Sequence, residues 1–378
     1  MTNPTKVGVI GCGQISGIYF ETARRLHDIE IVACADAVPE AVTFRADMYE
    51  IPRRYTPEQL LADPEIEIVL NLTSPRAHTE VARQILEAGK SVYGEKPLAT
   101  NRDDARAMLD LAAKRGLRVG CAPDTFLGAG IQTCQKLIED GAIGAPVAAV
   151  AYMLHHGPEM APFRPARPEN PSRQSVTSKA PGFYYTPGVG PMYDMGPYYL
   201  TALAVLIGPF RRVTGSARIT WPERPLGNPQ FKVETPSHVV GVMDHASGAV
   251  STIITSTDVW PGSLPWIEIY GETGTLSVPD PNYWGGPVRL RKPGESAWTE
   301  VALTHGYAEN SRGLGLADLA KAIKLGRAHR ASGDLAYHVL DVMQGVHEAS
   351  REGHHVEITS QFIAPKLLPV GLADGELD

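Results

Sequence analysis

At 378 residues the chain is too long for one ordinary domain and points to two. Its 43% hydrophobic content is ample for packed cores, and a net charge of −7 leaves no basic stripe of the kind a nucleic-acid partner needs. The longest apolar runs, residues 145–154 and 203–207, fall short of a bilayer span, so no membrane partner is expected.

The four cysteines, Cys12, Cys34, Cys121 and Cys134, show neither paired nor metal-type spacing. They read as small buried residues of a reducing compartment. The polar start runs straight into a strand, with no legible leader. The expectation is a soluble, cytoplasmic protein without a metal.

Residues 6–10 form a short apolar strand that enters Gly11-Cys12-Gly13-Gln14-Ile15-Ser16-Gly17. Beyond it, Ile15, Ile18, Tyr19, Thr22 and Leu26 recur at helical spacing. Strand, glycine turn and helix in that order make a dinucleotide cradle. Gly11 permits the tight turn and Gly13 lets backbone approach a pyrophosphate. Gln14 and Ile15 lead into a helix whose free N–H groups face the phosphates. Ser16 stands at the third glycine position, small enough for close helix–strand packing. A second strand, 30–35, ends at Asp36, where a carboxylate accepts from the adenosine ribose hydroxyls. Ala37 and Val38 follow, with no Arg or Lys to meet a 2′-phosphate, which favours NAD over NADP. Arg45, Arg53 and Arg54 are the cations that folding could still bring there.

A strand at 66–70 ends in Asn71-Leu72-Thr73-Ser74-Pro75, where Thr73 and Ser74 could contact the nicotinamide-side ribose or phosphate. The helix at 76–88 carries Val81, Ala82, Ile85 and Leu86 on one face, and His78 reads as a helix-start residue rather than a catalyst. Strand 91–93 leads into Gly94-Glu95-Lys96-Pro97, followed by a helix at 102–114 and a strand at 117–122. Pro97 disfavours helical backbone at Lys96 and holds the lysine extended at the strand tip, where such sheets bind ligands. Taken alone, Glu95-Lys96-Pro97 fits an ordinary strand-end turn equally well. The alternation of strand and helix predicts α/β architecture with a parallel, doubly wound sheet.

Asp124-Thr125-Phe126-Leu127-Gly128 closes this first unit, giving a dinucleotide-binding domain at 1–126 and a substrate and oligomerisation domain at 127–378. A linking helix at 131–140 follows. Strand-like segments at 147–154, 212–221, 238–244, 250–257, 266–270 and 275–278 then suggest a mainly antiparallel sheet covered on one face by helices. Helices at 314–324 and 335–352 carry apolar stripes that would supply that cover, and 365–378 reads as a surface segment or arm.

Between Gly157 and Pro191 lie eight prolines together with Arg164, Arg167, Arg173 and Lys179. So long an irregular stretch reads either as a lid or contact arm or as a solvated excursion. The run from Gly188 to Tyr199 opens a helix. Asp194 and Tyr198 are four apart and share a face if that helix begins near Asp194. A carboxylate and a phenol near a lysine make a proton-transfer set; a capping Asp with core tyrosines is the other reading. Asp124 and His238 are further candidates for substrate hydroxyl contacts. His155, His156 and His305 read as polar loop residues with structural or solvated roles.

Four stretches in order resemble the glucose–fructose oxidoreductase/inositol dehydrogenase/MocA family across residues 5–360. They are Gly11-Cys12-Gly13-Gln14-Ile15, Thr73-Ser74-Pro75 with His78, Glu95-Lys96-Pro97, and the run from Gly190 to Tyr198. The resemblance implies a Rossmann domain, then an α+β domain whose open-faced sheet builds homodimers or homotetramers. It also implies NAD(P)-linked redox chemistry on a sugar, glycoside or cyclitol, with Lys96 and Asp194 at the matching catalytic positions. Many members carry His where this chain has Tyr198, so the chain resembles the tyrosine-bearing branch, which includes dimeric dihydrodiol dehydrogenase. The Asn and Arg that often follow the sixth strand are replaced by Asp124-Thr125-Phe126, so no particular substrate carries over. The expected chemistry is hydride exchange between a ring carbinol and nicotinamide, with Tyr198 handling the proton. Lys96 would stabilise the alkoxide and ease the phenol's ionisation. The alternatives are a non-catalytic dinucleotide-binding sensor or scaffold, and an enzyme that retains its NAD and cycles it between two substrates.

Overall fold

A computed structural model describes residues 3–163, 170–177, 179–224, 231–260 and 262–378, the side chains of 161–163 left aside. Arg164 and Arg167 lie outside the described residues.

The first sheet contains β1 (Thr5–Ile10), β2 (Ile29–Ala35), β3 (Arg53–Tyr55), β4 (Ile68–Asn71), β5 (Ser91–Gly94) and β6 (Val119–Cys121), all parallel, in the order β3-β2-β1-β4-β5-β6. The strands are joined by α1 (Ser16–Ala23), α2 (Pro39–Tyr49), α3 (Pro57–Ala62), α4 (His78–Glu87) and α5 (Arg102–Lys114). Every residue of β4 is buried, as a central parallel strand requires, and each fully buried Val or Ile there contributes about 1.5–3 kcal/mol. The helix starts follow local chemistry. Thr56 and Gln59 close a capping box on α3, and the Asn101 side chain accepts from Asp104 N at the start of α5. The strand order reverses between β1 and β4, which opens a crevice at their carboxyl ends.

The second sheet comprises β7 (Pro146–Leu154), β8 (Phe210–Arg218), β9 (His238–His245), β10 (Val250–Ser256), β11 (Ile267–Gly271), β12 (Gly274–Val278), β13 (Val288–Arg291), β14 (Thr299–Val301) and β15 (Val356–Glu357). Its order is β14-β13-β12-β11-β7-β10-β9-β8-β15, antiparallel except where β7 meets β10. The remaining helices are α6 (Ala129–Glu139), α7 (Gly190–Asp194), α8 (Gly196–Ile207), α9 (Leu314–Leu325) and α10 (Gly333–Glu352). Strands β7, β9 and β10 bury alternate residues, among them Ala151, Met153, Val239, Met243 and Ile253, on the face that α8 and α10 cover. The opposite face is not covered by a helix among the described residues.

Two expectations are corrected. α9 does not cover the second sheet; it packs against β2 and β6 of the first, because Asp124, just past β6, accepts from Gly313 N (2.9 Å) and Gly315 N (3.0 Å) and fixes its amino end there. The carboxyl-terminal segment is not a free arm. Its backbone meets His27 N and Tyr307 Oη, and Asp378 pairs with Arg330 at 2.8 Å. β13, β14 and β15 lie outside the strands expected from the sequence; each spans four residues or fewer, too short for alternation to show.

All four cysteines are buried and unpaired, and no helix among the described residues is long and apolar enough to cross a membrane. Three histidines pack inside the helix-covered layer. Phe210 lies between His245 (4.5 Å) and His338 (5.6 Å), and His338 Nε2 accepts from Phe210 N at 3.0 Å. Burial pushes His245, His338 and His347 down to about 4. The unfolded chain binds these protons near pH 6.5 and the native state does not, so stability is complete above that pH and falls below it. Urea midpoints should therefore drop steadily from pH 7 to 5, and a flat profile would show that these rings titrate normally.

Candidate active site

The crevice at the ends of β1 and β4 is a cleft of about 800 Å3. Gly11 holds φ +109°, and a Cβ there would lie 2.6 Å from the Leu72 carbonyl carbon, so only glycine fits. A Cβ on Gly13 would meet nothing nearer than Thr177 Oγ1 at 3.8 Å; it would fill the cleft itself, the space a pyrophosphate needs. Gln14 and Ile15 line the same wall, and Ser16 Oγ donates to Gly13 O at 2.7 Å. Asp36 accepts from Cys12 N (2.6 Å) and Val38 N (2.9 Å), which holds its carboxylate at the cleft mouth. Each of the three arginines near this end has a partner within the protein. Arg45 is buried and donates to Gly13 O at 2.9 Å, Arg53 pairs with Asp63 at 2.8 Å, and Arg54 pairs with Asp47. These residues fit the adenosine and phosphate half of a dinucleotide.

Ser16 is fully buried, and Gly17 beside it admits a close approach from a distant segment. A Cβ on Gly17 would come within 1.9 Å of Ser172 O, because the 3-10 turn at Pro171–Arg173 rests on α1. The long proline-rich segment thus folds back over the glycine turn, and Asn170, Ser172, Arg173, Lys179 and Tyr184 form part of the cleft wall.

Thr73, Ser74 and Pro75 line the middle of the cleft, where Thr73 Oγ1 donates to Asn71 Oδ1 at 2.7 Å. His78 begins α4 and is buried between the carbonyls of Pro97 (2.8 Å from Nδ1) and Thr73 (3.1 Å from Nε2). Burial lowers its pKa, and the ring ties the two loops together. Glu95 turns inward, accepting from Tyr19 Oη at 2.8 Å and from Lys96 N at 3.1 Å. Lys96 therefore turns the other way, into the cleft.

Lys96 Nζ donates to Asp194 O at 2.6 Å and to Asp194 Oδ1 at 2.8 Å, and stands 5.4 Å from the centroid of the Tyr198 ring. Burial opposes its charge, but Asp194, Tyr198 and Glu95 outweigh that and hold its pKa above the usual lysine range. Asp194 and Tyr198 do not share one helix. Asp194 ends α7 and Tyr198 lies in the first turn of α8, with Met195 at the break (φ −110°, ψ −30°). Both side chains still reach Lys96, because the short break reorients α8 without carrying it away.

The sequence reading missed Arg312. It lines the cleft together with Tyr198 and donates to Asn282 Oδ1 (2.7 Å) and Asn310 Oδ1 (2.9 Å). Burial opposes its charge, yet Tyr198 and Glu95 raise its pKa. Nothing local marks this residue, since Asn282 and Arg312 come from loops far along the chain. Lys179 also faces this end, its pKa lowered by burial and then by Lys96.

Two candidates are corrected. Asp124 is fully buried beneath the cleft and spent on the amino end of α9. His238 lies on β9 against Ser256 Oγ (2.9 Å), away from the cleft wall. His155 and His156 directly follow β7, and His305 sits beside Thr304 at 2.9 Å; none lines the cleft.

Comparison with known proteins gives a consistent result. Residues 5–122 match the model of the GFO/IDH/MocA oxidoreductase family with an NAD-binding Rossmann fold, and residues 131–277 match the GFO/IDH/MocA C-terminal domain. Myo-inositol 2-dehydrogenase of Thermotoga maritima is 26% identical over 142 residues, 37% of this chain and 42% of that protein. The 1,5-anhydro-D-fructose reductase of Ensifer adhaerens is 30% identical over 164 residues, 43% of this chain and 49% of that protein. The chain thus spans a little under half the length of the curated relatives it matches. The fold is that of levoglucosan dehydrogenase in complex with NADH and levoglucosan, with TM-score 0.77 and 21% identity over 95% of this chain and all of that one. The aldose–aldose oxidoreductase of Caulobacter crescentus gives TM-score 0.78 and 20% identity over 94% and 99%.

The contact between α1 and the 171–173 turn can be tested directly. Gly17→Ala should lift that turn off the helix and speed trypsin cleavage after Arg173, read by mass spectrometry, with far-ultraviolet circular dichroism unchanged. Equal cleavage rates would show that the segment does not rest there.

Proposed function

This chain belongs to the GFO/IDH/MocA oxidoreductase family, and we propose that it is an NAD-dependent oxidoreductase acting on a ring hydroxyl or keto group of a sugar, glycoside or cyclitol. One observation carries the reading. The Lys96 ammonium, just past β5 of the first sheet, and the Tyr198 phenol, in the first turn of α8, meet in the cleft that the glycine turn and Asp36 begin. The curated relatives, named for an inositol and an anhydro-sugar, support a polyhydroxylated ring as substrate. Asp36, with Arg45 buried against the glycine turn and Arg53 and Arg54 paired with carboxylates, supports NAD rather than NADP.

When bound, nicotinamide would supply the hydride acceptor or donor. The residues do the remainder. Tyr198 accepts the hydroxyl proton during oxidation and returns it during reduction, the tyrosine-bearing variant of the family's chemistry. Lys96 stays protonated and stabilises negative charge as it develops on the substrate oxygen. Asp194 fixes the direction of the ammonium through its two contacts. Thr73, Ser74, Pro75 and the tie made by His78 shape the wall on the nicotinamide side.

We also place residues 1–126 as the dinucleotide-binding domain and 127–378 as the substrate domain. Half-buried Val150, Tyr152, Val242 and Ile254 on the uncovered face of the second sheet support assembly of homodimers or homotetramers there. Four unpaired, buried thiols support a cytoplasmic location.

Purified protein offered NAD and NADP separately, with a panel of sugars, glycosides and inositols, should reduce NAD in preference to NADP with at least one ring alcohol. Binding of NAD without turnover on any of them would favour the sensor reading. Lys96→Met and Tyr198→Phe should each lower kcat by about 10²–10⁴-fold with NAD affinity retained, measured by fluorescence titration. A variant with unchanged turnover would remove that residue from the chemistry.

A further inference from the structure

Arg45, on α2, is fully buried. Its hydrogen-bond partners among the described residues are all neutral: Gly13 O at 2.9 Å, Gln14 O at 3.4 Å and Met48 Sδ at 3.6 Å. The rings of Phe44 and Tyr49 lie 5.4 and 6.0 Å away. Nε is buried with no hydrogen-bond partner among the described residues. No carboxylate among them pairs with this guanidinium, and a buried charge without a counter-ion is strongly destabilising. Nη1 stands 2.9 Å from where a Cβ on Gly17 would lie, beside the first turn of α1, and that helix end is itself positive. Asp36, the carboxylate of this region, is held at the cleft mouth by Cys12 N and Val38 N.

The two carbonyls that Arg45 binds belong to the wall of the cleft, which Gly13, Gln14 and Ile15 line. In a trans peptide the C=O and the N–H point to opposite sides. With Gly13 O and Gln14 O drawn back to Arg45, the N–H groups of Gln14 and Ile15 face away from it. Neither N–H has an acceptor among the described residues. They are free donors at the amino end of α1. Ser16 also donates to Gly13 O, from Oγ at 2.7 Å and from N at 3.2 Å, but it holds one carbonyl and brings no charge.

We propose that Arg45 is a positioning residue of the dinucleotide site: from behind the glycine turn it fixes the peptide planes that aim the Gln14 and Ile15 N–H groups at the cofactor's diphosphate, and its guanidinium is the buried counter-charge to that diphosphate. The inference rests on the reading of this cleft as a dinucleotide site. Arg45 acts through Gly13 and Gln14 and does not touch the cofactor. The burial that keeps it from a 2′-phosphate is what places it behind the turn. A diphosphate in front of the turn gives both the guanidinium and the helix end the negative charge they lack. Because the cation is buried, salt screens that attraction little. Adenosine, which lacks the diphosphate, gains nothing from Arg45.

The test compares ADP-ribose, which carries the diphosphate, with adenosine, each competed against NADH fluorescence on the full chain. Arg45→Met should weaken ADP-ribose by about 10–100-fold and leave adenosine within about twofold. Arg45→Lys, which keeps the charge without the planar fork, should recover part of the loss. The Arg45→Met defect should persist in high salt, where the contribution of a surface cation fades. Unchanged ADP-ribose affinity, or an equal loss for both ligands, would overturn the proposal, because a merely structural role weakens both alike. If Arg45→Met fails to fold, Arg45→Gln, which keeps a donor for Gly13 O and drops the charge, should show the same selective loss at smaller size; an unselective loss there overturns the proposal as well. Wild-type protein that binds neither NADH nor ADP-ribose counts against the dinucleotide reading itself. Wild-type binding with an unselective Arg45→Met counts against Arg45 alone.

Discussion

An ammonium and a carboxylate 2.8 Å apart tie the two halves of this molecule together. Lys96 ends a parallel strand of one sheet, and Asp194 ends a short helix that leads into the other. Their side chains are only 13% and 33% exposed, so removing either would strand a charge largely shielded from water. The pair fixes the end of α7 against the end of β5. The break at Met195 then sets the first turn of α8, and Tyr198 arrives beside the lysine because of it. The arrangement of side chains at this end of the cleft depends on that one contact holding.

Around the pair, other residues settle which way each side chain points. Tyr19 draws Glu95 inward, which leaves Lys96 to face the cleft. His78 binds the Pro97 and Thr73 carbonyls, so the loops after β4 and β5 move as one unit. Asp124 holds the amino end of α9 and with it the approach of Arg312. The long segment after β7 is clasped at its base by Arg224, which pairs with Glu159 at 3.1 Å and with Asp258 at 2.5 Å and contacts Tyr185. Between two buried carboxylates, that guanidinium fixes both ends of the loop whose middle crosses α1.

Much of the dinucleotide half was legible in the residues. Gly11, Gly13 and Asp36 act through local backbone geometry, and the spacing of glycines, strand and carboxylate specifies that geometry directly. Asp124 shows the limit. A carboxylate after the sixth strand looks like a ligand for hydroxyls, but a helix that begins 190 residues later, at Leu314, supplies the N–H groups it accepts from. His238 fails for a similar reason. A histidine at a strand start can face either layer, and β10 provided its partner in Ser256. The destination of α9 was misread because an apolar stripe states that a helix is buried, not what buries it.

The sequence by itself determined the two kinds of sheet, the glycine turn, the carboxylate that closes on it, and the lysine and tyrosine that line one cleft. Each is written in short-range spacing, where strand and helix periods and glycine's freedom act over a few residues. Only the tertiary structure decided that Asp194 takes the Lys96 charge, that Arg312 with its two asparagines joins the cleft wall, and that the turn at 171–173 lies across α1. Those contacts join residues tens to hundreds of positions apart. They depend on where whole sheets and helices pack, and no local pattern carries that information.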